Sequence, residues 1–250
     1  MYINDVHIAY YLVAAILGLI VGEVVSWANK RLPEYKKVIS REFITEYKMN
    51  FRPNYILMLL TAVIYVSLIY VYGIQDNIIA NLDLIKYMLL TPMLFSVAVI
   101  DFKENIIPNR LLLTMAEIGL LLTFIYGISD INLAMDMLLG MLVGTVIFGI
   151  LTLLGRLVSG KDAMGMGDVK LMAALGLFFG SSNILAISII SFLLGAIISI
   201  ILILSKKRKI DDYIPFGPFI VIAAYISIFV PFSAILFVLL KVFTLGLYKV

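Results

Sequence analysis

Cysteine is absent from this 250-residue chain, which removes any disulfide framework and any thiolate zinc site. Histidine occurs once, as His7, so a histidine-built metal centre or a Ser–His catalytic pair has almost no material. Charge is scarce: lysine, arginine, aspartate and glutamate make up 14% of the residues, against about 25% in a typical soluble chain. No internal repeat and no low-complexity linker divides the sequence. The one sizeable polar stretch, 28–54, is too short for an independent soluble domain.

Most of the chain is apolar. Hydrophobic residues account for 63% and the mean hydropathy is +1.09. Runs at 8–27, 55–73, 84–100, 111–127, 134–155, 169–180, 184–204 and 214–230 approach the roughly 20 residues that a membrane-crossing helix needs. The expected fold is therefore all-α, a polytopic transmembrane helix bundle of about eight spans. The run at 169–180 is short and calls for tilt or shielding by neighbours. A last apolar stretch, 232–248, contains Lys241 and reads either as a ninth span or as a helix lying in the interface. Gly140, Gly144, Gly149, Gly176, Gly180 and Gly195 are expected where helices pack closely, and Trp27 with the many tyrosines at the membrane interface. The 12 methionines read as membrane-core packing.

Loop charges orient the bundle. Most of the 19 lysines and arginines fall on alternate connections: Lys30, Arg31, Lys36, Lys37, Arg41, Lys48 and Arg52, then Lys103 and Arg110, then Arg156, Lys161 and Lys170, then Lys206, Lys207, Arg208 and Lys209. The other connections hold Asp76, Asp83, Asp130 and Asp136, with Lys86 the main exception. The positive-inside rule places the basic loops in the cytoplasm and the N-terminus outside. These clusters read as topology signals, not as a nucleic-acid surface.

Two aspartates carry the chemistry. Asp101 opens Asp101-Phe102-Lys103-Glu104-Asn105-Ile106-Ile107-Pro108-Asn109, and Asp168 closes Gly165-Met166-Gly167-Asp168. Each lies where an apolar helix meets a polar loop, on the same expected side of the membrane. An ionisable group there is costly and is a functional candidate by default. Two carboxyls that share a proton can cleave a peptide without metal. One, ionised, takes a proton from water; the other, protonated, polarises the scissile carbonyl and then protonates the leaving nitrogen. Gly165 and Gly167 permit backbone angles and close approach that side chains block. Lys170, two residues on, is placed to bias ionisation or to seat substrate. The plainer readings are a helix N-cap for Asp168, with the helix starting near Val169, and a solvated loop acid for Asp101, paired with Lys103 or Arg110. Pro108 breaks the backbone before the next helix, and Asn109 suits its cap.

Two further carboxylates fall within spans. Glu23 is expected to snorkel toward Asn29 or Lys30, and Glu117 to be protonated or hydrogen-bonded inside the bundle. Pro215-Phe216-Gly217-Pro218 reads as a helix start or as a loop closing over the active site.

At these residues the sequence resembles the type IV prepilin leader peptidases, members of the GxGD membrane aspartic proteases. The resemblance rests on Asp101 through Pro108, on Gly165-Met166-Gly167-Asp168-Val169-Lys170-Leu171, and on Ile214-Pro215-Phe216-Gly217-Pro218-Phe219; Gly18–Gly22 through Arg31-Leu32-Pro33 matches more loosely. It implies Asp101 and Asp168 as catalytic residues, with Gly165, Gly167, Lys170, Pro108, Pro215 and Gly217 supporting, and no metal. It implies as partners prepilin or pilin-like precursors, cut at the cytoplasmic face of the inner membrane, with membrane lipid around the enzyme and no nucleic acid. No cofactor is implied for proteolysis. S-adenosylmethionine is left open as the donor for N-methylation of the new N-terminus, since the paired CxxC motifs of many relatives are missing. Residues 1–83 then form an N-terminal region with a shortened loop, and 84–250 the peptidase domain. The competing classes are a small ion-coupled transporter and a general GxGD intramembrane protease.

Overall fold

The computed structural model describes residues 2–34, 38, 53–77, 79–159, 164–205 and 214–244. Most of the basic residues used above to orient the bundle (Lys36, Lys37, Arg41, Lys48, Arg52, Lys161 and Lys206 to Lys209) lie outside the described residues. Among the described residues a short hairpin, β1 (Tyr2–Ile3) and β2 (Val6–His7), precedes eight α-helices. These are α1 (Ile8–Arg31), α2 (Tyr55–Tyr72), α3 (Leu82–Glu104), α4 (Asn109–Ser129), α5 (Ile131–Ser159), α6 (Met166–Leu204), α7 (Gly217–Phe229) and α8 (Phe232–Phe243). The first six are long and apolar enough to cross a membrane, so this is a multi-pass membrane protein of the expected all-α class. The chain forms two compact units, residues 1–111 and 112–250.

In the first unit α1 packs along α2 through two glycines. A Cβ on Gly22 would stand 2.6 Å from the Met58 Cα, and one on Gly18 would overlap the Ala62 backbone. Lipid tails are as apolar as leucine, so such close van der Waals contact, more than the hydrophobic effect, holds spans together. Pro92 lies inside α3 and has no N–H for the carbonyl of Met88 four residues earlier. The Tyr65 hydroxyl of α2 supplies the missing donor, at 2.8 Å from that oxygen. Lys86, the exception to the charge pattern, is buried in α3 and binds Asp83 at 2.7 Å.

In the second unit α6 is two arms. Its 39 residues would reach about 58 Å if straight, roughly twice the hydrocarbon thickness. Gly180 breaks it with φ +73°, a conformation that favours glycine. A Cβ on Gly144 of α5 would meet both the Met172 carbonyl oxygen, at 2.6 Å, and Ile184 Cγ1, at 3.3 Å. Residues 12 apart along the chain are thus side by side, and the chain reverses at Gly180. The short run at 169–180 is the first arm of this hairpin. Asp136 of α5 secures the turn: its carboxylate accepts from the Ser181 backbone N–H at 3.2 Å and from the Ser181 hydroxyl. The first arm and α5 touch backbone to backbone, since a Cβ on Gly176 would collide with Gly140.

Buried hydroxyls are satisfied within their own helices: Thr61, Thr91, Ser188 and Ser191 donate to the carbonyls of Leu57, Tyr87, Ile184 and Ile187.

Several expectations are corrected. Gly149 has open space where its Cβ would be, so it is not a packing contact. Trp27 is buried, not an exposed anchor; its Nε1 donates to the Val38 carbonyl at 2.9 Å and the Arg31 guanidinium lies 5.1 Å from its ring centre. Glu117 is exposed on α4, not inside the bundle, because its neighbours at one-turn spacing, Leu113, Leu120 and Leu121, share that outward face. The described part of the last apolar stretch is the 12-residue α8, bent 120° from α7 and too short to cross a bilayer alone. Residues 245–248 of that stretch lie outside the described residues.

Candidate functional site

Asp101 belongs to the first unit and Asp168 to the second, and each has its own setting. Asp101 sits in the last turn of α3, only 2% exposed. Its backbone carbonyl accepts from the Asn105 N–H at 2.9 Å, and Asn105 ends the helix in the left-handed region at φ 52°. The apolar run therefore continues as helix past the acid, and burial excludes the reading as a solvated loop acid. Lys103, Glu104 and Arg110 are exposed. Pro108 is buried and its carbonyl accepts from the Leu111 N–H at 3.0 Å, which starts α4. Asn109 is the first helical residue and not the preceding cap.

A cavity of about 420 Å³ opens between the end of α1, the start of α2 and the end of α3, and Asp101 is not among its lining residues. Ile100, Lys103 and Glu104 face it from α3; Ser26, Asn29 and Lys30 from α1; Pro53, Asn54 and Tyr55 from α2. The expected contact from Glu23 to Asn29 is not made, because neither polar atom of the Asn29 side chain has a partner among the described residues.

Asp168 is 3% exposed and lies in the first turn of α6. The helix starts at Met166, with Gly165 as its N-cap, and the Asp168 N–H donates to the Gly165 carbonyl at 3.0 Å. The N-cap reading of Asp168 is thus corrected: it is the third helical residue. The carboxylate nonetheless stays at the end where unsatisfied N–H groups favour an anion. Gly165 has φ −69° and ψ 144°, angles open to any residue, and Gly167 is helical. The pair does not serve through unusual backbone angles; what remains is the room that glycine leaves. Lys170 is exposed, about 200° around the helix from Asp168.

Asp168 lines a second cavity of about 290 Å³ with Leu151, Met164, Gly165, Phe192, Ile214 and Phe216. This one is apolar and aromatic. Phe216 lies 5.4 Å from Phe192, 6.0 Å from Phe148 and 5.9 Å from Phe219, ring centre to ring centre. A Cβ on Gly195 would reach within 2.9 Å of the Phe216 ring, so the second arm of α6 seats this aromatic cluster. Pro215 is half-buried between the two lining residues, and Gly217 is buried at the start of α7. The structure therefore joins the second and third sequence motifs around Asp168, although 46 residues separate Asp168 from Ile214 in the chain. Among the described residues, no group of three His, Cys, Asp or Glu side chains forms a metal site. Sequence reasoning missed the surroundings of two polar residues away from Asp168. Asp136, counted only as a loop charge, finds a partner 45 residues away. Asn29 gives no local signal beyond being polar near the end of a span.

Residues 88–200 match the family model of the type IV leader peptidases, Peptidase_A24. The chain is 37% identical over 145 residues to a prepilin leader peptidase/N-methyltransferase of Xanthomonas campestris pv. campestris, covering 57% of this chain and 48% of the relative. The protein of that name from Aeromonas salmonicida is 34% identical over 141 residues, covering 56% and 47%. One from Neisseria gonorrhoeae is 26% identical over 201 residues, covering 80% and 65%. The chain spans about half the length of the first two relatives. No solved structure gives a significant match. Residues 88–200, with Asp101, Pro108, Gly165, Gly167, Asp168 and Lys170 among them, are thus similar to the type IV leader peptidase family.

Proposed function

We propose that this protein is a membrane aspartic endopeptidase that removes the basic leader from type IV pilin-like precursors at the cytoplasmic face of the inner membrane. One observation carries the reading: the matched region includes both aspartates, each is buried at a helix end, and Asp168 lines a cavity. The names of the relatives supply the substrate class.

In this reading Asp101 and Asp168 act as a pair on one water. Their helix ends divide the work. Asp168, in the first turn of α6, lies among N–H groups that favour a negative charge and serves as the base. Asp101, in the last turn of α3, lies among carbonyls that disfavour one and serves as the acid. The base takes a proton from water, the water oxygen attacks the scissile carbonyl, and the acid protonates the leaving nitrogen. The apolar cavity at Asp168 suits the hydrophobic start of the mature subunit.

The relatives' names also include an N-methyltransferase. Methylation of the new N-terminus, with S-adenosylmethionine as donor, is proposed as a second activity with no assigned residues; nothing among the described residues singles out a site for that donor, and no step is routed through it.

The test is mass spectrometry of a pilin-like precursor co-expressed with this protein, alongside a generic transmembrane peptide. The expected product is the precursor cut before its apolar helix, with the generic peptide intact and any added methyl visible on the same fragment. Transport of a solute without cleavage would favour an ion-coupled carrier instead.

A further inference from the structure

The helix α4 buries one side and leaves the other open. Met115, Gly119 and Leu122 are buried, and a Cβ on Gly119 would meet Leu177 and Phe178 of α6. On the opposite side Leu113, Glu117, Leu120 and Phe124 are all exposed, with Leu121 and Ile128 flanking them. Lipid satisfies the apolar members of this face. It does not satisfy Glu117. That residue lies eight positions into a 21-residue span, about 12 Å along the axis, and makes no hydrogen bond or ion pair among the described residues. A carboxyl group turned toward hydrocarbon is costly, ionised or not, until a partner group reaches it.

The spacing points to the surface that supplies the partner. Leu113, Glu117, Leu120 and Phe124 stand four, three and four residues apart, the seam of a coiled coil with Glu117 as its one polar member. A single polar residue in such a seam fixes register, because it is satisfied only opposite another polar group. A second copy of this chain meets that requirement. The membrane holds every copy at one depth, and a two-fold axis along the membrane normal sets each seam residue against itself. Two carboxyl groups then face each other, and in the acid form each donates its O–H to the carbonyl oxygen of the other. Any other membrane helix has to carry a donor at the same height by coincidence. Arg110 falls on the same side, three residues before Leu113, but at the polar end of the span, where water and salt screen the like charges.

We propose that the outward face of α4 is a dimer interface, in which Glu117 pairs with Glu117 of the partner subunit inside the membrane. The inference is independent of the peptidase reading, since it uses neither Asp101 nor Asp168.

The experiment uses the full-length protein in liposomes. The chain has no cysteine, so Phe124→Cys reports on the seam, and Leu142→Cys, at an exposed position of α5, is the control. A lipid-soluble oxidant is expected to link copies carrying Phe124→Cys and to leave those carrying Leu142→Cys unlinked. Single-molecule photobleaching over a range of protein-to-lipid ratios gives the dimer dissociation constant. Glu117→Leu is expected to weaken dimerisation about tenfold, and Glu117→Gln, which keeps a donor and an acceptor, to hold it within about threefold. Neither change touches the buried side of α4, so thermal stability at high dilution is expected to match wild type. A wild type that stays monomeric at every ratio, a dimer that Glu117→Leu leaves unchanged, or a link that forms with Leu142→Cys and not with Phe124→Cys overturns the proposal. So does a pilin-precursor helix that shields Phe124→Cys from a lipid-soluble maleimide while no link forms, because the face then takes another helix and not a second copy.

Discussion

The two compact units solve one problem in opposite ways. Each carries a buried aspartate at a helix end, but Asp101 lies in the last turn of its helix and lines no described cavity, whereas Asp168 lies in the first turn of its helix and lines an aromatic cavity. Their scaffolds differ too. The first unit repairs a broken helix with a side chain, Tyr65 donating to the carbonyl that Pro92 leaves open. The second tightens its helices with glycine, Gly140 against Gly176 and Gly144 against Met172. A carboxyl group thus meets different neighbours in each unit, and the proposed division into acid and base follows that difference.

The largest expected effect tests that pairing. Asp101→Asn and Asp168→Asn each slow leader removal by about 10²–10⁴-fold, the usual weight of a general acid or base, while the protein still inserts. Cleavage of a co-expressed precursor, read by mass spectrometry, measures it; normal processing by either mutant breaks the comparison. Next is the glycine scaffold of the second unit. Gly176→Leu pushes a side chain into Gly140 and costs about 1–3 kcal/mol or more in reversible unfolding in detergent. A smaller change is expected in the first unit: Tyr65→Phe costs about 1 kcal/mol, and almost nothing in a Pro92→Ala background, where the restored N–H serves the Met88 carbonyl. A cost that persists unchanged in that background removes the repair argument. The smallest effect belongs to Gly149→Ala, which has open space and is expected to gain up to about 1 kcal/mol of helix propensity.

Much of this was legible beforehand. Helices near 8–27, 55–73, 84–100, 111–127 and 134–155 follow from apolar length alone, because a backbone in lipid must close its own hydrogen bonds. Boundaries were less legible. Helix continues through Asp101 and begins ahead of Asp168, since the backbone ladder does not stop where hydropathy falls. The outward position of Glu117 was not legible either, as a single acid in an apolar helix carries no mark of which face it shares. Nor was the pairing of Asp136 with Ser181, which depends on a reversal at Gly180.

The sequence by itself determined the class of molecule and the order of its spans, and it singled out two candidate acids, because these depend on composition and on local motifs. Tertiary structure alone decided which glycines touch, that α6 folds back on itself, and that Phe216 joins Asp168 at one cavity. Each of those facts is a contact between residues distant along the chain, and its energy comes from geometry that neither partner encodes alone.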